Sequence, residues 1–278
     1  EYFFSENAAP DVLPDGARRI LFLNASIEPD IRYREKIADL LKAGDPFLTT
    51  SGNRVSAALV SSIKKLGTDI SCRNISARLL EQGLPLEDEF FRTIDWPHMA
   101  VEAHLRLFPG NLQHLISSGK YREKAKNVFI GENVDIAPTA VFETGKGPIV
   151  IENNVKVMHF TYLEGPIHIG ASTKVIEHSS IKDLTSIGSI CKVGGEIEAS
   201  QMEPYSNKQH HGFLGHSWVG RWVNLGAGTS TSDLKNTYGK VRVYYRGARV
   251  DTGMQFLGSV IGDFCKSAVN TSFFTGKI

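Results

Sequence analysis

The chain has 278 residues and carries 31 Lys and Arg against 30 Asp and Glu, a formal net charge of +1. So even a balance gives no field that would hold nucleic acid by neutralising phosphates. The sequence reads as one without a secretory leader, and it has no run of about 20 apolar residues suited to a membrane. The three cysteines are odd in number and lack C-x-x-C spacing, which speaks against a disulfide framework and for a reducing, cytoplasmic setting.

Residues 1–122 read as an incomplete α/β domain. Arg18-Arg19-Ile20-Leu21-Phe22-Leu23-Asn24 is apolar enough for a buried strand. Arg34 to Leu41 places Ile37, Leu40 and Leu41 at helical spacing, with Gly44 positioned to end the helix. Phe47–Thr50 reads as a second strand, and about Val55 to Leu66 as a helix. A further helix is expected after Trp96-Pro97, broken at Pro109-Gly110, and the mixed charges from Lys120 to Lys124 as a basic, solvated helical linker. Strands alternating with helices predict an α/β layer. No glycine-rich phosphate loop of either common type occurs in it.

From 123 to 278 one six-residue phrase repeats: an aliphatic residue, usually Gly, two variable residues, then a small one. Eight copies are clear: Ile130 to Val134, Ile136 to Ala140, Ile151 to Val155, Ile169 to Thr173, Ile187 to Cys191, Val219 to Val223, Leu225 to Thr229 and Ile261 to Cys265. A hexapeptide period predicts a parallel β-helix, in which each short strand turns its aliphatic residue inward and only stacked coils bury a continuous column. Three phrases per coil is the pattern of the left-handed kind. Cys191 and Cys265 both take the small inward position and are expected to be buried. The chain begins at Glu1 without Met and stops at Gly276-Lys277-Ile278, where a mid-coil end is read, so a segment of a longer polypeptide is expected.

The densest polar stretch interrupts the hexads: Tyr205-Ser206-Asn207-Lys208-Gln209-His210-His211-Gly212-Phe213-Leu214-Gly215-His216. It runs into Asn224-Leu-Gly-Ala-Gly-Thr229 and then Leu234-Lys-Asn-x-Tyr238. Loops on a rigid scaffold are where function concentrates. This stretch resembles the acetyltransferase half of the bifunctional GlmU enzymes, and more closely the bacterial GlmU-like sugar nucleotidyltransferases. The likeness is strong over roughly 120–278 and weak over 18–110.

The resemblance implies a Rossmann-like nucleotidyltransferase domain, here a remnant, before a left-handed parallel β-helix that transfers an acyl group as a homotrimer. It implies acetyl-CoA as co-substrate, an amino-sugar phosphate as acceptor, and allows magnesium in the nucleotidyltransferase half. His210 takes the place of the general base, because an amine attacking a thioester must shed a proton and imidazole titrates near neutrality. Asn224 and Asp233 fall beside the acceptor, Lys208 and Lys235 at its phosphate, and Gly226, Ala227 and Ser259 along the coenzyme A. The chain departs from the family pattern in three places. Phe213 replaces a tyrosine, Asp233-Leu234 replaces an Asn-Tyr pair, and Thr229 to Ser259 is several residues longer, with Lys240 to Arg246 expected as a protruding strand.

Two other readings stand beside this one. His211-x-x-x-x-His216, with His178 one coil earlier, has the spacing of a zinc ligand set in γ-type carbonic anhydrases. A scaffold or sugar-nucleotide sensor could also keep the fold without the chemistry.

Overall fold

A computed structural model describes residues 19–52, 54–61, 74–87 and 90–278. Two compact units divide between Asp95 and Trp96. In the first, β1 (Ile20–Leu23), β2 (Phe47–Ser51) and β3 (Arg54–Val60) form a sheet in the order β1-β3-β2, flanked in sequence by α1 (Arg32–Ala43) and α2 (Ile75–Leu80). Gly44 ends α1 as expected, in the left-handed conformation (φ 76°), its N–H reaching the Leu40 carbonyl.

The expected helix from Val55 is instead β3, and the part beyond Ser61 lies outside the described residues. One side of the sheet packs Leu48, Val55, Ala58, Val60 and Leu79, and the other packs Tyr33, Phe47, Ala57, Leu59 and Phe91. A strand buried on both faces shows a continuous apolar run, which periodicity alone does not separate from a helix. The ladders joining β1, β3 and β2 are antiparallel, and Leu48 of β2 adds an isolated parallel bridge to Leu86. The cause between β2 and β3 is local: two residues join them, and a parallel pair needs a crossover of a dozen or more.

The second unit opens with α3 (Pro97–Ser117), so its border lies upstream of the hexads. Pro109 does not break α3. The helix is held by Phe108 and Leu112 against Val150, and by Val101 against Val241, Val243 and Leu257. His104 also bonds the Leu184 carbonyl through Nε2 at 2.8 Å, and burial lowers its pKa to about 4.

The expected linker helix is a short edge strand, β4 (Arg122–Ala125), exposed as foreseen and paired antiparallel with β5 (Val128–Ile130). From β5 onward the chain is a β-solenoid with three faces. The first face runs from β4 through Ile149–Ile151, Ile167–Ile169 and Thr185–Ile187 to Val260–Ile261, and every pair after β5 is parallel. Register partners such as Ile151, Ile169 and Ile187 stand eighteen residues apart, which is three hexads per coil. The second face carries Asp135–Ile136 to Asn207–Lys208, and the third Val141–Glu143 to Phe213–Gly215.

Ile130, Ile151, Ile169, Ile187, Val219, Leu225 and Ile261 belong to one core cluster with Val157, Val175, Val193, Leu163, Ile181 and Ile197. Each such side chain contributes roughly 1.5–3 kcal/mol when fully buried. At the first corner, between first and second faces, Asn133, Asn154, Ser172, Ile190, Tyr205, Trp222 and Phe264 each take positive φ of 53° to 66°. The turn is therefore built from one left-handed residue per coil, not from glycine alone.

The small hexad residue does more than fit. Thr173 Oγ1 accepts the Cys191 N–H (3.0 Å), and Ser206 Oγ accepts the Val223 N–H (2.9 Å), linking one coil to the next. Cys191 is buried as expected, but Cys265, on the last described coil, is exposed. The long excursion forms a hairpin, Arg242–Tyr245 with Ala248–Asp251. It does not simply protrude: Val241 and Val243 are buried against α3.

Candidate functional site

The residues singled out in the sequence fall on two different corners of the coil. His210 and His211 lie at the second corner, in the bend between Asn207–Lys208 and Phe213–Gly215. His216 lies at the third, after Phe213–Gly215. At about 3.3 Å per extended residue, the corners stand roughly 15–20 Å apart.

At the second corner the His210 side chain is exposed, and the Gln209 amide donates to its Nε2 at 3.1 Å. Asn224 is exposed on the second face beside Asn207, one coil on. Gly226 and Ala227 form the next turn of the same corner. The Gly228 N–H reaches the His211 carbonyl (3.2 Å), bringing the Gly-Ala-Gly-Thr turn against the histidine pair. Gly226 has a packing reason of its own, because a Cβ there would lie 2.6 Å from the Ala268 carbonyl oxygen.

Lys208 is a correction. Its side chain turns into the solenoid at 2% exposure, and its Nζ donates to the carbonyls of Gly194 (3.1 Å), His210 (3.1 Å) and Gly212 (2.8 Å). Three ammonium hydrogens meet three acceptors, so the residue clamps the histidine bend and has no reach to a phosphate outside. Burial lowers its pKa to about 8, which leaves it charged at pH 7.

Ser259 also differs from expectation. It is buried at the third corner, where its N–H bonds Ser217 Oγ (2.9 Å), just as the Ser217 N–H bonds Ser200 Oγ (3.0 Å). This inward serine ladder ties coil to coil and keeps Ser259 from a surface ligand. Lys235 Nζ is held by the Lys240 carbonyl (2.8 Å) within its own excursion.

Asp233 is brought to the third corner, where its Oδ2 lies 2.8 Å from His216 Nδ1. Glu198 completes a group of three whose ligating atoms all fall within 4.8 Å of one another. The His216 ring stacks on Phe256 at 5.1 Å and 25°. Beside it opens a groove of about 450 Å³ lined by Glu102, Leu105, Arg106, His216, Met254 and Phe256. Glu198 was not foreseen. Its signal is positional: it is the register partner of Gly215 on the third face. The spacing His211-x-x-x-x-His216 separates these two side chains to different corners, and His178 stacks on Phe160 at the second, so the three do not converge within one chain.

No family model matches the chain. It is similar to the bifunctional sugar-1-phosphate nucleotidylyltransferase/acetyltransferase of Sulfurisphaera tokodaii, 30% identical over 134 residues, which are 47% of this chain and 33% of that protein. It is 26% identical over 147 residues to the bifunctional protein GlmU of Prochlorococcus marinus (52% and 27% of the two chains). The bifunctional protein GlmU of Rippkaea orientalis is 27% identical over 133 residues (47% and 28%). The chain spans a third or less of the length of these relatives, and about half of it is GlmU-like.

Proposed function

We propose that the chain is part of a transferase that moves an acetyl group from acetyl-CoA to the amine of an amino-sugar phosphate, with His210 as general base. The observation that carries this is the His210 imidazole itself, exposed on a corner whose backbone is clamped from inside by the Lys208 ammonium. A base carried on a fixed backbone costs less reorganisation when the acceptor arrives. The amine nitrogen would attack the thioester carbonyl, the C–S bond would break, and coenzyme A would leave as its thiol. His210 would take the proton the amine sheds and return it to the departing sulfur.

Residues expected in one site lie on separate corners, which suits a site completed between subunits. In this reading the protein is a homotrimer. The first-corner ridge of Ile190, Tyr205, Trp222 and Phe264, between 40% and 71% exposed, is the apolar surface a second copy would cover. Nucleotidyl transfer, which the name of the Sulfurisphaera tokodaii relative includes, would belong to the longer protein and to the α/β portion.

Release of thiol from acetyl-CoA with a panel of amino-sugar phosphates tests the reading. His210→Ala should lower the rate by about 10²–10⁴-fold, the usual contribution of such a base. Equal rates in the variant and parent would sink the assignment. Phe213 and Asp233, where the family carries a tyrosine and an asparagine, favour one second reading, a sugar-nucleotide-binding protein. That reading would show as thermal stabilisation by sugar nucleotides with no thiol release from any acceptor.

A further inference from the structure

Glu198, His216 and Asp233 reach one point at the third corner although the two carboxylates come from coils that are not neighbours. Glu198 pairs in register with Gly215, and Asp233 follows Ser230–Thr231 one coil further on. Two coil spacings put their backbones roughly 9–10 Å apart. Gly215 is what lets the side chains close that gap. A Cβ at this position would stand 2.6 Å from Asp233 Oδ2 and 2.4 Å from Phe213 Cζ. The missing side chain is thus a cradle into which the Asp233 carboxylate leans.

The cradle gathers two acidic side chains around one imidazole. Two carboxylates and one imidazole crowd together with side chains only 13–28% exposed. Like charges at such separations repel unless a cation lies between them. Lys182 stands 3.6 Å from Glu198, but the same ammonium is also engaged by Glu196. It therefore neutralises only part of the charge.

We propose that Glu198, His216 and Asp233 form a divalent metal site for Zn²⁺ or Mn²⁺, with its remaining coordination positions open to the groove beside Phe256. The donor set, one imidazole and two carboxylates, suits these ions. Two ligands of one tetrahedral zinc stand about 3.3 Å apart for bonds near 2.0 Å. The 2.8 Å His216–Asp233 pair needs to open by only about half an ångström to admit the ion. Three protein ligands with an open position is the arrangement that activates a water or polarises a carbonyl. The site lies a corner away from His210 and does not depend on the acyl-transfer reading.

Untagged protein stripped with chelator and titrated with Zn²⁺ and separately with Mn²⁺ in a calorimeter tests it. One ion per chain is expected, with Asp233→Asn and the near-isosteric Glu198→Gln each weakening binding at least tenfold. His211→Ala, an exposed histidine at the other corner, should bind as the parent does. Thermal melts of the stripped proteins establish that each variant is folded. The proposal is overturned by absence of stoichiometric uptake of both ions. It is equally overturned if uptake survives Asp233→Asn and Glu198→Gln, or is lost in His211→Ala.

Discussion

Glu152 stands where most hexads carry glycine, and its surroundings explain why a carboxylate is kept there. Its Oε1 accepts from the Tyr121 hydroxyl (3.1 Å) and lies 3.1 Å from His168 Nε2, while its Oε2 takes the Ala171 N–H (2.9 Å). The bond to His168 is the main cause that lowers the Glu152 pKa to about 2, outweighing burial. Desolvation first, then the neighbouring carboxylate, raises Tyr121 to about 12. The folded pKa of Glu152 is below its unfolded value, so its stabilisation is complete above about pH 5 and is lost as pH falls toward 2. That amounts to something on the order of 2 kcal/mol. In melts between pH 7 and pH 3, Glu152→Gln should start lower than the parent and lose less on acidification. Parallel curves would refute the linkage. At this scale the sequence shows which residues are polar but not which way they point. Lys208 and His210 are two residues apart in the same polar stretch, and one faces the core while the other faces solvent.

Among the elements, α3 shows packing overriding local propensity. Pro109 is exposed in mid-helix, where it supplies no N–H to the carbonyl one turn back. His104, Phe108 and Leu112, spaced four residues apart along one face, hold the helix continuous across it. An interior proline costs about 3 kcal/mol relative to alanine in a helix. Pro109→Ala should therefore raise the melting temperature by several degrees, as 1 kcal/mol moves a unit of this size by roughly 2–4 °C. An unchanged or lower midpoint would mean that the proline ring makes a contribution of its own. The same contest explains the misjudged β3. Its Ser-Ala-Ala-Leu-Val run has the composition of a buried segment of either type, and only burial on both faces of a sheet decides it. The hexad strands were legible because their period of six is imposed by the coil itself and recurs with the same inward residue. The Lys240 to Arg246 strand had no such repeat, so its existence could be read but not the burial of Val241 and Val243.

For the whole solenoid, the repeat specifies the column and its three faces, while the convergence of side chains from different coils is set by stacking. His216 and Asp233 are seventeen residues apart, close to one coil, and so become neighbours. Glu198 joins them only through the gap at Gly215, a relation that no linear motif records. The proposed assembly is tested at this scale. Light scattering should give three times the 30.6 kDa chain mass, and replacing Trp222 and Phe264 together by Ser should shift the population to smaller species. A parent that scatters as a single chain at all concentrations would exclude the trimer. No helix among the described residues is long and apolar enough to cross a membrane.

The first face ends on β4, whose Arg-Glu-Lys-Ala side chains are exposed and whose direction is opposite to that of every strand beyond β5. A column of co-directional strands invites another molecule to add on and extend it without limit. The ionic side chains that β4 places at this rim oppose the close approach of an incoming strand. Polymerisation into fibres is thereby discouraged from that end by four residues.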